Sequence, residues 1–96
     1  MKIDFTKNGG VLTVSLDGRL DTTTAPELDK FISENCTSAD EIIINCENLI
    51  YISSAGLRVL LSTHKKMGGS MKLVCVGELC LEVLEMTGFA DILVIE

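Results

Sequence analysis

Two adjacent hydroxyls, Ser53 and Ser54, stand where an apolar stretch ends and a helical apolar pattern begins. The stretch is Ile42-Ile43-Ile44, then Leu49 and Ile50; the pattern that follows uses Leu57, Leu60, Leu61 and His64. This spacing predicts a buried strand, a tight turn, and a helix that begins at the serine pair. The first N–H groups of a helix lack intrahelical partners, and the macrodipole places partial positive charge there. A serine hydroxyl at that point caps the helix, and a phosphate carried on it is equally well placed. Arg58 follows Ser54 by four residues, one helical turn, and can meet a phosphate, meet a partner's carboxylate, or simply stay solvated. Asp21-Thr22-Thr23-Thr24 mark a second helix start rich in hydroxyls, which either caps the helix or adds to a partner surface.

The remaining reactive side chains point away from catalysis and metal binding. His64 is the single histidine and falls on the apolar stripe of its helix, so it is read as a partly buried core residue. It cannot act as base for Ser54, because ten helical residues span about 15 Å. No Gly-rich phosphate loop and no carboxylate pair beside a nucleophile occur, so no enzyme activity and no cofactor are expected. Cys36, Cys46, Cys75 and Cys80 contain no C-x-x-C pair, which argues against zinc. Cys46 and Cys75 lie in strand-like runs and read as small buried hydrophobes, while Cys36 and Cys80 read as partly exposed.

The elements that must position these residues are legible in order. Ile3 and Phe5 alternate with polar residues in an edge strand, Asn8-Gly9-Gly10 turns the chain, and Val11 to Leu16 forms a second strand ending at Asp17-Gly18. Thr24 and Glu27 have capping-box spacing, and Pro26 suits the first turn of the helix that buries Ala25, Leu28, Phe31 and Ile32. The run from Glu41 to Cys46 is continuously apolar at its centre, as in a strand covered on both faces, and a loop through Asn48 and Tyr51 leads to the serines. Met67-Gly68-Gly69 ends the serine helix. A buried strand then spans Met71 to Val76, a helix Leu79 to Met86, and a last strand residues 91–95. Thr87-Gly88 stops that last helix, with Phe89 folding back on it. The order is ββαβαβαβ, which implies an α/β fold with a mixed, mainly parallel sheet and helices packed against it.

Ninety-six residues suffice for one domain, spanning 1–96. The net charge of -6 argues against a nucleic-acid footprint, which needs a basic face. No apolar run approaches the ~20 residues of a membrane span, and Met1-Lys2-Ile3-Asp4 does not open a signal peptide. A cytoplasmic, soluble monomer is expected.

The whole chain resembles the STAS domain family, in particular the anti-sigma factor antagonists. Three pieces carry the resemblance, and their order and spacing are what make it specific. The family's Gly-acidic-Leu-Asp segment before a helix with small residues at its start is here Gly18-Arg19-Leu20-Asp21-Thr22-Thr23-Thr24-Ala25. Its Asp-Ser-Ser-Gly-Leu-like turn is here Ser53-Ser54-Ala55-Gly56-Leu57, and its Thr-Gly-Phe-like ending is here Thr87-Gly88-Phe89. The resemblance implies a phosphorylation-controlled partner switch. The serine of the turn, aligned on Gly56 and Leu57, is Ser54, with Ser53 as the second choice of acceptor. The implied partners are an anti-sigma factor that is a serine kinase, and a phosphatase that restores the serine. The implied partner surface comprises Asp21, Thr22, Thr23, Ser53, Ser54, Ala55, Gly56 and Arg58. The chain departs from the pattern at Ser53, where Asp is usual, and at Asn45, where Asp is common. The alternative is a STAS scaffold, or a module binding a small anion or nucleotide, that no kinase modifies.

Overall fold

A tight reversal at Gly9, whose φ is 62°, joins β1 (Lys2–Asn8) to β2 (Val11–Leu20) as an antiparallel hairpin in register from Lys2↔Asp17 to Asn8↔Val11. The computed structural model describes residues 1–96 and continues with α1 (Ala25–Asn35), β3 (Glu41–Ile52), α2 (Ser54–Lys66), β4 (Met71–Val74), α3 (Glu78–Met86) and β5 (Val94–Ile95). Short 3₁₀ turns fill Cys36–Ser38 and Phe89–Asp91. The order is the ββαβαβαβ expected. The five strands form one sheet in the order β1-β2-β3-β4-β5, parallel from β2 onward.

Each step from β2 to β5 moves to the next strand in the same direction. Right-handed crossovers therefore put all three helices on one face of the sheet. The register places Leu12, Ile42 and Met71 in one row of that face and Val14, Ile44 and Leu73 in the next, all 2% exposed or less. Leu28 and Ile32 of α1, Leu57 and Leu60 of α2, and Leu84 of α3 close over them. This corrects the expectation of a strand covered on both faces. Ile43 and Asn45 point to the opposite, open face and are only half-buried.

Several boundaries also differ from the sequence reading. β2 does not stop at Asp17-Gly18, because Gly18 at φ 112° lets the strand bend and run on to Leu20. β3 continues through the residues expected to be loop. Asp17, Gly18, Arg19 and Leu20 pair with Asn48, Leu49, Tyr51 and Ile52 across two register shifts, so tertiary pairing overrides the poor strand propensity of Glu47 and Asn48. β4 ends at Val74, and Cys75, at φ 57°, turns out of the sheet and is exposed rather than buried. β5 keeps only Val94–Ile95 of the expected 91–95, since residues 89–91 form a 3₁₀ turn. α3 begins at Glu78, one residue before the expected Leu79.

Cys80 is buried rather than partly exposed. Its Sγ lies 3.5 Å from the Leu49 carbonyl oxygen, in the first turn of α3. Cys46 is buried as expected. Burial, with the Cys80 and Cys75 thiolates nearby, pushes its thiol pKa up to about 12, so it packs as an unreactive hydrophobe. His64 is half-buried on α2, as read from the sequence. Thr63, beside it, is a buried polar residue that the apolar pattern did not single out; its hydroxyl donates to the Val59 carbonyl at 2.8 Å. No helix is long and apolar enough to cross a membrane.

Candidate functional site

The two hydroxyl-bearing turns meet at the carboxyl ends of β2 and β3. Parallel strands end there together, so the starts of α1 and α2 lie side by side. A backbone hydrogen bond ties them: the Ser53 N–H donates to the Leu20 carbonyl at 2.8 Å. The fold thus brings the turn that begins at Asp21 beside the turn that begins at Ser53.

The structure separates the roles of the two serines. Ser53 has extended backbone (φ -92°, ψ 173°), is the N-cap of α2, and its Oγ accepts from the Gly56 N–H at 3.3 Å. Ser54 is the first helical residue, is exposed, and makes no side-chain hydrogen bond within the chain. The Ser53 oxygen is therefore engaged as the helix cap, while the exposed Ser54 hydroxyl has no hydrogen-bond partner within the chain. Ser53→Ala removes the cap and is expected to cost about 1 kcal/mol, whereas Ser54→Ala stays within about 0.5 kcal/mol of wild type. Urea unfolding of the two variants compares these directly, and equal losses would refute the division of roles.

Gly56 explains how the turn sits so close to the sheet. A Cβ there would lie 2.6 Å from Leu20 Cγ, 2.9 Å from Leu20 Cδ2 and 3.1 Å from the Leu20 carbonyl oxygen. Leu20 is itself fully buried, so it has little room to retreat.

The α1 start is held differently from the expected capping box. The Thr24 side chain makes no cap bond to the helix, so the Thr24–Glu27 box does not form. The Thr24 hydroxyl instead donates to the Arg19 carbonyl at 2.7 Å and accepts from the Asp21 N–H at 2.8 Å. Asp21 Oδ1 gathers the Thr23 hydroxyl at 2.8 Å and the N–H groups of Thr23 at 3.0 Å and Thr24 at 3.1 Å. The Thr23 hydroxyl, then the Thr24 N–H, hold the Asp21 carboxyl below its ordinary value of 3.8. The sign follows: a depressed carboxyl stabilises the fold above its unfolded value and loses that contribution as pH falls through 3.8 and below. Asp21→Asn is therefore expected to lower the Tm at pH 7, with the gap to wild type closing as pH falls below 3.8. Thermal melts across that range check it, and a constant gap would sink it.

Arg19 was not singled out from the sequence. Its guanidinium carbon sits 4.4 Å above the centre of the Tyr51 ring, and its Nε lies 4.0 Å from Asp21 Oδ2. The only signal was its position in the segment before Asp21, because the pairing Arg19↔Tyr51 depends on the bulged register. Arg58 is exposed on α2 and lies in a basic stretch with Lys65 and Lys66. His64 belongs to the last turn of α2, at the opposite end of the helix from the two serines. No group of three or more His, Cys, Asp or Glu side chains is gathered to hold a metal.

The site is thus an exposed hydroxyl at a helix start, beside a second turn tied down by its own hydrogen bonds, at one end of a sheet covered by helices on one face. The STAS domain model matches residues 2–96, and the chain belongs to the STAS domain family. It is similar to the anti-sigma-B factor antagonist of Bacillus subtilis, 29% identical over 96 residues that cover 97% of this chain and 88% of that protein. It is equally similar to the anti-sigma F factor antagonist of Paenibacillus polymyxa, 29% identical over 100 residues that cover 97% of this chain and 84% of that one. Among solved structures, an anti-sigma factor antagonist from Mycobacterium paratuberculosis superposes with a TM-score of 0.86 at 25% identity, covering 98% of this chain and 83% of the other.

Proposed function

We propose that this domain is an anti-sigma factor antagonist whose binding is switched by phosphorylation of Ser54. Unphosphorylated, it binds an anti-sigma factor that is also a serine kinase, and so frees a sigma factor for transcription. Phosphorylated on Ser54, it lets go, and a phosphatase restores it. The similarity to two antagonists over nearly the whole chain supports the class of partner. The observation that carries the choice of residue is the free, exposed Ser54 hydroxyl beside a Ser53 hydroxyl already used as a cap.

The physical effect of the modification follows from charge. A phosphoserine brings roughly -1.5 to -2 charges and three acceptor oxygens. At the first position of α2 the unpaired N–H groups and macrodipole tolerate that charge, so the fold persists. A partner packed against the turn must desolvate the phosphate or face it with its own groups, so the complex does not persist. The switch thus acts at the interface without rebuilding the domain.

The test is phosphosite mapping by mass spectrometry of the chain purified from its native cell, beside Ser54→Ala. A phosphate on Ser54, missing from the variant, is the expected result. Phosphate on Ser53 would move the acceptor by one residue. A chain never modified under any growth condition would overturn the switch in favour of a scaffold domain.

A further inference from the structure

Three large apolar side chains lie on the surface close to the serine turn: Ile50 is 61% exposed, Leu79 70% and Met86 81%. They are not scattered. Ile50, Tyr51 and Ile52 form one wall of a cleft of about 210 Å³, and Leu79, Val83 and Met86 of α3 form the other. The topology makes this cleft. β4 pairs with β3 only as far as Asn45↔Val74, because Cys75 turns the chain out of the sheet. The last residues of β3 therefore have no strand beside them on that side, and α3 covers the gap incompletely. Leu79, Val83 and Met86 are spaced i, i+4, i+7, so they make one stripe along the helix.

We propose that this cleft is the apolar half of the surface that binds the anti-sigma factor, and that it takes a short apolar segment of that partner flanked by Lys or Arg. The inference rests on the reading of Ser54 as the switched contact.

Two observations select that occupant. The first is continuity. The β3 wall of the cleft ends at Ile52, the residue before Ser53 and Ser54, so the cleft adjoins the serine turn along the chain. The second is charge. Glu82 is the one charged residue lining the cleft, and its helix also carries Glu78 and Glu85 and no basic residue, so the charge on that side is negative. A second copy of this chain, itself at net charge -6, fits that charge poorly. A cationic segment with an apolar centre fits it well. The division of labour is then clear. The cleft supplies apolar anchorage that phosphorylation does not touch, and the Ser54 turn supplies the contact that phosphorylation removes.

The experiment uses the anti-sigma factor that binds the wild-type chain, with Leu79→Glu, Met86→Glu and Glu82→Lys as variants. All three residues are exposed, and circular dichroism melts check that each variant folds as wild type does. Each apolar variant is expected to weaken binding about tenfold, the scale of a truncated interface anchor. Glu82→Lys is expected to weaken it and to flatten its salt dependence. Phosphorylation of Ser54 by the kinase is expected to show a raised KM for the variants at unchanged kcat. Binding and KM within twofold of wild type would overturn the cleft proposal and leave the Ser54 switch standing. A wild-type chain that neither binds nor is modified by any anti-sigma kinase of its cell would instead overturn the reading beneath it. A wild-type dimer by sedimentation velocity that Leu79→Glu dissociates would assign the cleft to a second copy and overturn the proposal.

Discussion

Gly56→Ala is expected to destabilise the domain by about 2 kcal/mol, the cost of overpacking a filled site. In a chain of this size that corresponds to a fall in Tm of roughly 10 °C. Ala has the better helix propensity, so a measurement blind to tertiary structure would suggest the opposite sign. The added methyl would come within 2.6 Å of Leu20 Cγ and 3.1 Å of the Leu20 backbone oxygen. A side-chain tip can swing aside; a carbonyl that accepts the Ser53 N–H cannot move without releasing that bond. The first turn of α2 must therefore lift from β2, and Ser54 moves with it. Thermal melts and urea titrations read the stability, and a Tm equal to or above wild type would refute the packing argument. A second consequence is separable: the variant that remains folded is expected to be phosphorylated more slowly, because the acceptor has shifted.

Ser54→Asp is expected to do the reverse, leaving stability alone and removing binding. An acidic side chain at the first position of a helix interacts favourably with the macrodipole by about 0.5 kcal/mol, so the Tm stays level or rises slightly. Affinity for the anti-sigma factor is expected to fall at least tenfold, since a charge without a partner is being pressed into an interface. Phosphoserine should exceed this, having about twice the charge and three acceptor oxygens. Calorimetric titration of wild type, Ser54→Asp and the phosphorylated chain gives the series. Undiminished affinity of the phosphorylated chain would end the partner-switch reading. Together, Gly56→Ala and Ser54→Asp separate what holds the turn from what the turn presents.

Ser53 and Ser54 were legible as a helix start because capping and apolar periodicity are local properties. Which of the two is free was not legible, since it depends on whether the Ser53 hydroxyl reaches the Gly56 N–H. The Thr24–Glu27 spacing pointed to a capping box, yet Thr24 turned back to the Arg19 carbonyl and Asp21 gathered the N–H groups instead. Both arrangements satisfy the same unpaired donors, and only the path of the chain leaving β2 chooses between them. Cys75 continued an apolar run and read as buried, but its left-handed backbone takes it out of β4.

By itself, then, the sequence determined the order of the elements, the apolar stripe of each helix, and the position of the serine pair between strand and helix. These follow from periodicity, turn residues and helix caps, all of which act within a few positions along the chain. Tertiary structure alone decided the rest. It carried β3 through Glu47 and Asn48 by pairing with β2, and it gathered the three helices on one face. It set Arg19 over Tyr51 and demanded glycine at position 56 because of Leu20, thirty-six residues earlier. Each of these joins residues far apart in sequence through close packing at the end of a parallel sheet, and short-range patterns in a single chain carry no record of that proximity.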